Sequence, residues 1–296
     1  MGNIPIRDLT TYGKQVHPVS LGSSIRSLMR TRVWFLALTS MALGACATSS
    51  PQGRLQLTVP TPISAVYSEA DMRLHLVADT DIDSPCVGME CQLNHAFDQR
   101  VLRLGTRLAQ SAFATYPDLA KRISRFEFII AEKAEPGSAS SAAGTIVIFR
   151  GVQKLHLDEE ALAFLIAREM GHVIGRHHDE NSSASILFSV LAQLLFPFAN
   201  LINGSAVLVQ TASTSAATAA ASTAASFIGS KLMIESYKED QLRESDAIAL
   251  DLLARQGWSE DEIANALKPG TRIVGENGWS KDLRTSAGRI AGISEN

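Results

Sequence analysis

Charge is scarce in this sequence: Asp, Glu, Lys and Arg make up 19% of the 296 residues, and the 27 Lys and Arg fall short of the 30 Asp and Glu. Without a basic excess there is no electrostatic footprint for a nucleic-acid partner. At 46% hydrophobic residues the chain is too apolar for disorder. Three cysteines cannot build a disulfide-dense scaffold, and a chain this long needs none, since it can bury one large core or two smaller ones. Heptad arrays, internal repeats, a Gly-rich phosphate loop and a Gly-x-Ser-x-Gly elbow are all missing. Those absences remove coiled coils, solenoids, P-loop nucleotide chemistry and serine-elbow acyl transfer.

What is present begins near the N-terminus. The uncharged run Val33–Ala45 follows Arg26, Arg30 and Arg32 and ends at Cys46, a signal-peptide layout too short to span a bilayer. Leu43-Gly44-Ala45-Cys46 resembles a bacterial lipobox, in which small residues admit the peptidase and the cysteine takes the lipid. Residues 1–45 are therefore expected to be a signal-peptide region, with translation starting at Met1 or at Met29. The mature chain would begin at lipidated Cys46 and hold to the membrane by its acyl chains. A bacterial cell-envelope position facing the periplasm follows, with the outer membrane favoured because Ala47 is not acidic. A buried apolar segment with an incidental cysteine is the alternative. Cys86 and Cys91, in SPCVGMEC, are expected to pair as a disulfide in that oxidising compartment; the other use of two thiols, a metal site, lacks nearby His or further Cys.

Ala47 to about Pro62 is rich in Ser, Thr, Pro and Gln, and residues 46–93 read as a lipid-anchored tether and N-terminal segment ahead of a domain over 94–296. Apolar spacing predicts a helix from Asn94 to Tyr116, stopped by Pro117, then strands over 126–130 and 145–149. The periodicity of Asp158–His178, with its acidic first turn, predicts one long helix. Residues 181–230 carry no charged side chain, which fits two helices packed through small residues. A membrane-dipping hairpin is the other reading, although Gln193, Pro197, Asn200 and Asn203 interrupt it. A further helix is expected over Tyr237–Gln256, ended by Gly257, and another from an N-cap at Ser259 with Glu262 three residues on.

A zinc-hydrolase helix needs two ligands one turn apart with a carboxylate beside the first. That slot reads Arg168-Glu169-Met170-Gly171-His172. The surrounding ALAFLIAREMGHVIGRHH resembles the active-site helix of the gluzincin metallopeptidases that include the CAAX prenyl protease and the bacterial envelope quality-control proteases, approximately LAAVLGHEIGHVxARHH. The run Ser245–Trp258 resembles that family's later Ala-Asp helix, where a Glu four residues before the Asp is the third zinc ligand. The similarity covers about residues 94–293. It implies a predominantly helical α+β, zincin-like metallopeptidase domain with a small sheet.

The resemblance also assigns the site, with replacements. Glu169 stands at the general base, His172 is the one surviving family ligand, and Arg168 and Leu242 occupy the other two ligand positions. The family's Asn-Ala-Phe at a strand border is replaced by Ser138-Ala-Ser-Ser141, and its late His-Pro is missing ahead of Arg289-Ile290. A guanidinium beside a dication is repulsive, so no cofactor is expected, and Arg168 is expected to fill the vacated space and pair with Asp246 or Glu169. His177 and His178 are assigned to the helix surface, and Glu239 is a better replacement ligand than Glu244. The reading that follows is a non-catalytic envelope lipoprotein binding envelope proteins or unfolded polypeptide in assembly or quality control, by strand addition or through its apolar segment. The alternatives are an active zinc-dependent metalloendopeptidase with an atypical ligand set and a membrane-packing protein built on 181–230. No nucleic acid enters any of them.

Overall fold

The computed structural model describes residues 47–78, 86–195, 211–273 and 278–292. The expected signal region with Met29, the lipidation site Cys46 and the interrupting Pro197, Asn200 and Asn203 lie outside the described residues.

The stretch read as a tether is folded. β1 (Ala47–Ser49) and β2 (Leu55–Leu57) pair antiparallel, with Ala47 opposite Leu57 and Ser49 opposite Leu55. The polar residues that suggested a tether direct their hydrogen bonds inward. Thr48 and Thr58 hydroxyls meet at 3.0 Å, and Gln56 Nε2 donates to the Gly175 carbonyl at 2.8 Å. Helix α1 (Thr61–Ala78) follows, docked where the Thr61 and Ser64 hydroxyls donate to the buried carboxylate of Asp179.

The predicted 94–116 helix begins earlier, as α2 (Met89–Thr115), and buries Phe97, Val101, Leu104 and Leu108 on one stripe before Pro117 ends it. Cys86 and Cys91 are joined in a disulfide at its start. β3 (Glu127–Ala131) and β5 (Thr145–Phe149) are parallel neighbours, while β4 (Ser138–Ser140) in the connection between them pairs antiparallel with the far side of β5, giving the order β3-β5-β4. The central strand reads as an apolar run, and Ile146, Val147 and Ile148 are fully buried.

Helix α3 (Glu159–Ile174) is the core. Every residue from Ala161 to Gly171 is buried, and a helix apolar on all sides needs cover on all sides. α2, the sheet, α5 (Thr211–Ala254) and α6 (Glu260–Ile273) supply it. The closest approach is at Gly171, where a Cβ would stand 2.6 Å from the Ser245 carbonyl oxygen; any side chain there would push α3 and α5 apart.

The predicted continuous helix over 158–178 is broken. Arg176 takes a left-handed φ of 62° and a separate helix, α4 (His177–Leu195), starts after it. The His177 ring folds back over Gly175, where a Cβ would lie 2.6 Å from its Nε2. Hence His177 and His178 leave the α3 surface, contrary to their assignment above. α5 ends before Gly257, whose φ is 92°. Ser259 and Glu262 form the expected reciprocal cap, Ser259 N–H donating to Glu262 at 2.8 Å and Glu262 N–H to Ser259 Oγ at 3.3 Å. α7 (Gly278–Ile290) packs on α5 and α6. Among the described residues no helix is long and apolar enough to cross a membrane.

Candidate functional site

The last two turns of α3 hold the site, because the one-turn spacing of Arg168 and His172 and the intervening Glu169 aim them at β4, α4 and α5. Glu169 is the best-anchored of the three. Ser138 and Ser140 alternate on β4 and so share a face; their hydroxyls donate to Glu169 Oε1 at 2.7 Å and Oε2 at 2.8 Å. Trp279 Nε1 on α7 donates to Ser138 Oγ at 2.8 Å. His178 Nε2 lies 3.0 Å from Ser140 Oγ. Since that hydroxyl gives its proton to Glu169, the His178 Nε2 must be the protonated nitrogen. Burial and the neighbouring His177 push the pKa of His178 down to about 4, so the ring is neutral at neutral pH.

A second chain of contacts fixes His172. Its Nδ1 is 2.8 Å from His177 Nδ1, and His177 Nε2 is 3.2 Å from Glu244 Oε2. Burial pushes His177 below the ordinary imidazole range against the pull of Glu244. A neutral His177 that donates through Nε2 accepts through Nδ1, so His172 Nδ1 is the donor and its Nε2 keeps a lone pair. His172 is itself held well below the ordinary range by burial and by His177, Arg168 and His178. Burial works to raise Glu244, but the hydrogen bond from His177 and the charge of Arg54 hold it below the usual carboxylate range. Arg54, from the β1–β2 hairpin, lies 3.2 Å from Glu244 and grips Glu180 with two hydrogen bonds of 2.7 and 2.8 Å. Glu244 is therefore a buried anchor for His177, and Glu239 is exposed and paired with Arg243, the reverse of the roles expected for them.

Arg168 is 4% exposed and Asp246 2%. Their charged groups face each other at 3.8 Å, Nε to Oδ1, beyond hydrogen-bond reach. Arg168 Nε and Nη1 and Asp246 Oδ1 have no hydrogen-bond partner among the described residues, while Arg289 Nη1 donates to Asp246 Oδ2 at 2.8 Å. Burial raises the Asp246 carboxyl above its ordinary value, and Arg168 and Arg289 pull it back. Leu242, which the resemblance aligns with the third ligand position, is buried.

These donors do not fit zinc. A catalytic zinc takes three protein ligands and an open position, yet the set here is one imidazole nitrogen, a guanidinium and an isobutyl group. Both Glu169 oxygens are already accepting from serines, and among the described residues no cluster of three His, Cys, Asp or Glu could hold a metal ion. The structure thus brings Glu169, His172 and Arg168 together at the end of α3, with Asp246 facing Arg168, and Leu242 buried one turn before Asp246 on α5. It adds Arg54 and Trp279, which the sequence did not single out, and draws in Ser138, Ser140, His177, His178, Glu244 and Arg289, which were read there as altered family landmarks, surface histidines or a lesser ligand. For Arg54 and Trp279 no local pattern gave a signal.

Residues 137–286 match the family model described as Peptidase family M48. No curated protein and no solved structure matches the chain.

Proposed function

Since this chain belongs to peptidase family M48, we propose that it keeps the family's cleft to bind polypeptide and has given up hydrolysis. One observation carries the reading: a buried guanidinium stands where the first ligand of the one-turn pair belongs, with Leu242 at the third position. Glu169, with both oxygens occupied by Ser138 and Ser140, works here as a brace between α3 and β4 rather than as a base. β4 is the edge of its sheet, bonded to β5 on one side, and an edge strand offers main-chain hydrogen bonds to an added extended segment. The occupant is an unfolded or partly assembled envelope protein, met by a protein lipid-anchored through Cys46 in the bacterial envelope, facing the periplasm and favouring the outer membrane. Its work there is assembly or quality control.

A second reading has its own support. The Arg54–Glu244–His177 chain orients His172 as outer partners orient a metal-bound histidine, which is what an active zinc endopeptidase with a borrowed or atypical ligand would need. Elemental analysis of the purified protein beside a digestion assay with unfolded casein separates the two. The expected result is retention of casein without cleavage and no stoichiometric zinc. Zinc near one per chain, lost in His172→Ala together with cleavage, would overturn the proposal.

A further inference from the structure

The stripe of α1 turned from the protein is apolar, with Tyr67 at its edge over a hollow shared with His178 and Lys238. Ile63, Val66, Tyr67 and Leu74 are 44%, 70%, 55% and 71% exposed, and at 100° per residue they fall, with Ala70, within one narrow face bordered by Arg73 on one side and Asp71 on the other. Thr61, Ser64 and Met72 occupy the opposite face and are buried. The β1–β2 hairpin repeats the pattern. Thr48 and Gln56, paired across the strands, turn inward, whereas Ala47 and Ser49 lie beside Leu57 and Leu55 on the outer face, with Leu55 77% exposed. Both α1 and β2 pack against α4, so both outer faces are the ones turned away from it.

We propose that the outer faces of this hairpin and α1 form a membrane-seated surface, with the lipid bilayer as its occupant. The proposal rests on the Cys46 anchor of the preceding section and deepens it. A tether over residues 47–62 would have let the domain stand clear of the lipid. Instead β1 begins at Ala47, the residue after Cys46, and Arg54 and Gln56 lock the hairpin to the body. No slack separates the acyl chains from the folded domain. Ala47 pairs with Leu57, and the four residues from Leu57 to Thr61 span at most about 14 Å, which puts the first turns of α1 next to the anchor. α1 is not long and apolar enough to cross a bilayer, so it lies in the interface plane with Tyr67 at headgroup level. From Cys46 onward the chain carries 22 Lys and Arg against 29 Asp and Glu, a net formal charge of −7, so apolar contact and not charge drives the seating.

The test uses the full chain produced in bacteria, carrying Val66→Cys or Leu74→Cys. Cys86 and Cys91 are joined and an acylated Cys46 does not react, so the introduced thiol alone takes a polarity-sensitive maleimide fluorophore. The labelled protein is placed in phosphatidylethanolamine–phosphatidylglycerol vesicles with brominated acyl chains, and mass spectrometry reads the state of Cys46. Expected are an acyl group on Cys46 and about twofold or greater quenching at positions 66 and 74. The control probe, Asn265→Cys on α6, which packs on α3 and α7, stays unquenched. An acylated Cys46 with unquenched probes at 66 and 74 overturns the membrane face and leaves the anchor standing. Probes that are already shielded before vesicles are added mean that a second copy or another protein covers the stripe, which also overturns it. An unacylated Cys46 removes the anchor and the proposal with it.

Discussion

Replacing Asp246 by Ala would strand Arg168 in the interior. At 3.8 Å, two unit charges at an effective dielectric of about 20 attract by about 4 kcal/mol. Desolvating both groups costs a comparable amount, so the intact pair sits close to balance. The two partners are not equivalent, however. Asp246 also accepts from Arg289 at 2.8 Å and keeps a partner when Arg168 is removed, whereas Arg168 has no other ion pair among the described residues. Asp246→Ala should therefore cost about 3–5 kcal/mol, the penalty for an uncompensated buried charge. Arg168→Met, which keeps much of the stem's volume, should cost less than about 1 kcal/mol. The double variant should recover most of the loss. At about 2–4 °C per kcal/mol for a domain of this size, Asp246→Ala lowers the melting midpoint by roughly 6–20 °C, read by circular dichroism or calorimetry across the four-member cycle. A double variant that melts as low as Asp246→Ala alone would refute the reasoning, since the damage would then lie in the lost carboxylate and not in the stranded guanidinium.

Three further outcomes follow from the same geometry. Gly171→Ala places a methyl group 2.6 Å from the Ser245 carbonyl oxygen and should cost about 1–3 kcal/mol by overpacking; an unchanged urea midpoint would show that α3 and α5 separate freely. The folded pKa of His178, about 4, lies below the unfolded value of about 6.5, so the unfolded chain binds more protons between the two. The stability that a neutral His178 provides is complete above about pH 6.5 and is lost as the pH falls towards 4. Melting midpoints followed across that window should drop less in His178→Gln, which can still donate to Ser140; identical slopes would contradict the assignment. Arg168→His with Leu242→Glu restores a three-ligand set on α3 and α5, and isothermal titration should find one zinc per chain in the double variant and none in either single one.

The sequence carried the fold wherever a single rule dominated. The apolar spacing and acidic first turn that open α3, the Pro117 stop and the Ser259–Glu262 cap are local signals, and the structure keeps each of them. It failed where long-range contacts override local chemistry. Ala47–Pro62 has a tether's composition, yet Arg54 and Gln56 find buried carboxylate and carbonyl partners on α4, α5 and the end of α3 that no local window contains. The helix expected to run on to His178 breaks at Arg176, because the ring of His177 has a buried partner in Glu244 to reach. The site was legible through the family resemblance: it placed Arg168, Glu169 and His172 on one turn of one helix, and Leu242 and Asp246 on one turn of another. The supporting Arg54 and Trp279 were not, since tertiary packing brings them in.

The Arg54 clasp also sets an order of events. Its partners lie 126 and 190 residues further along the chain, so the first strands to be synthesised must wait for α4 and α5 before they can dock. Closing loops of that length is slow relative to local helix formation, and the hairpin next to Cys46 should be the last part of the domain to become protected in pulsed hydrogen exchange. On the Cys46 anchor proposed above, the chain would meet the membrane while the adjoining strands are still undocked, and completion of the far helices would draw the domain down to the surface.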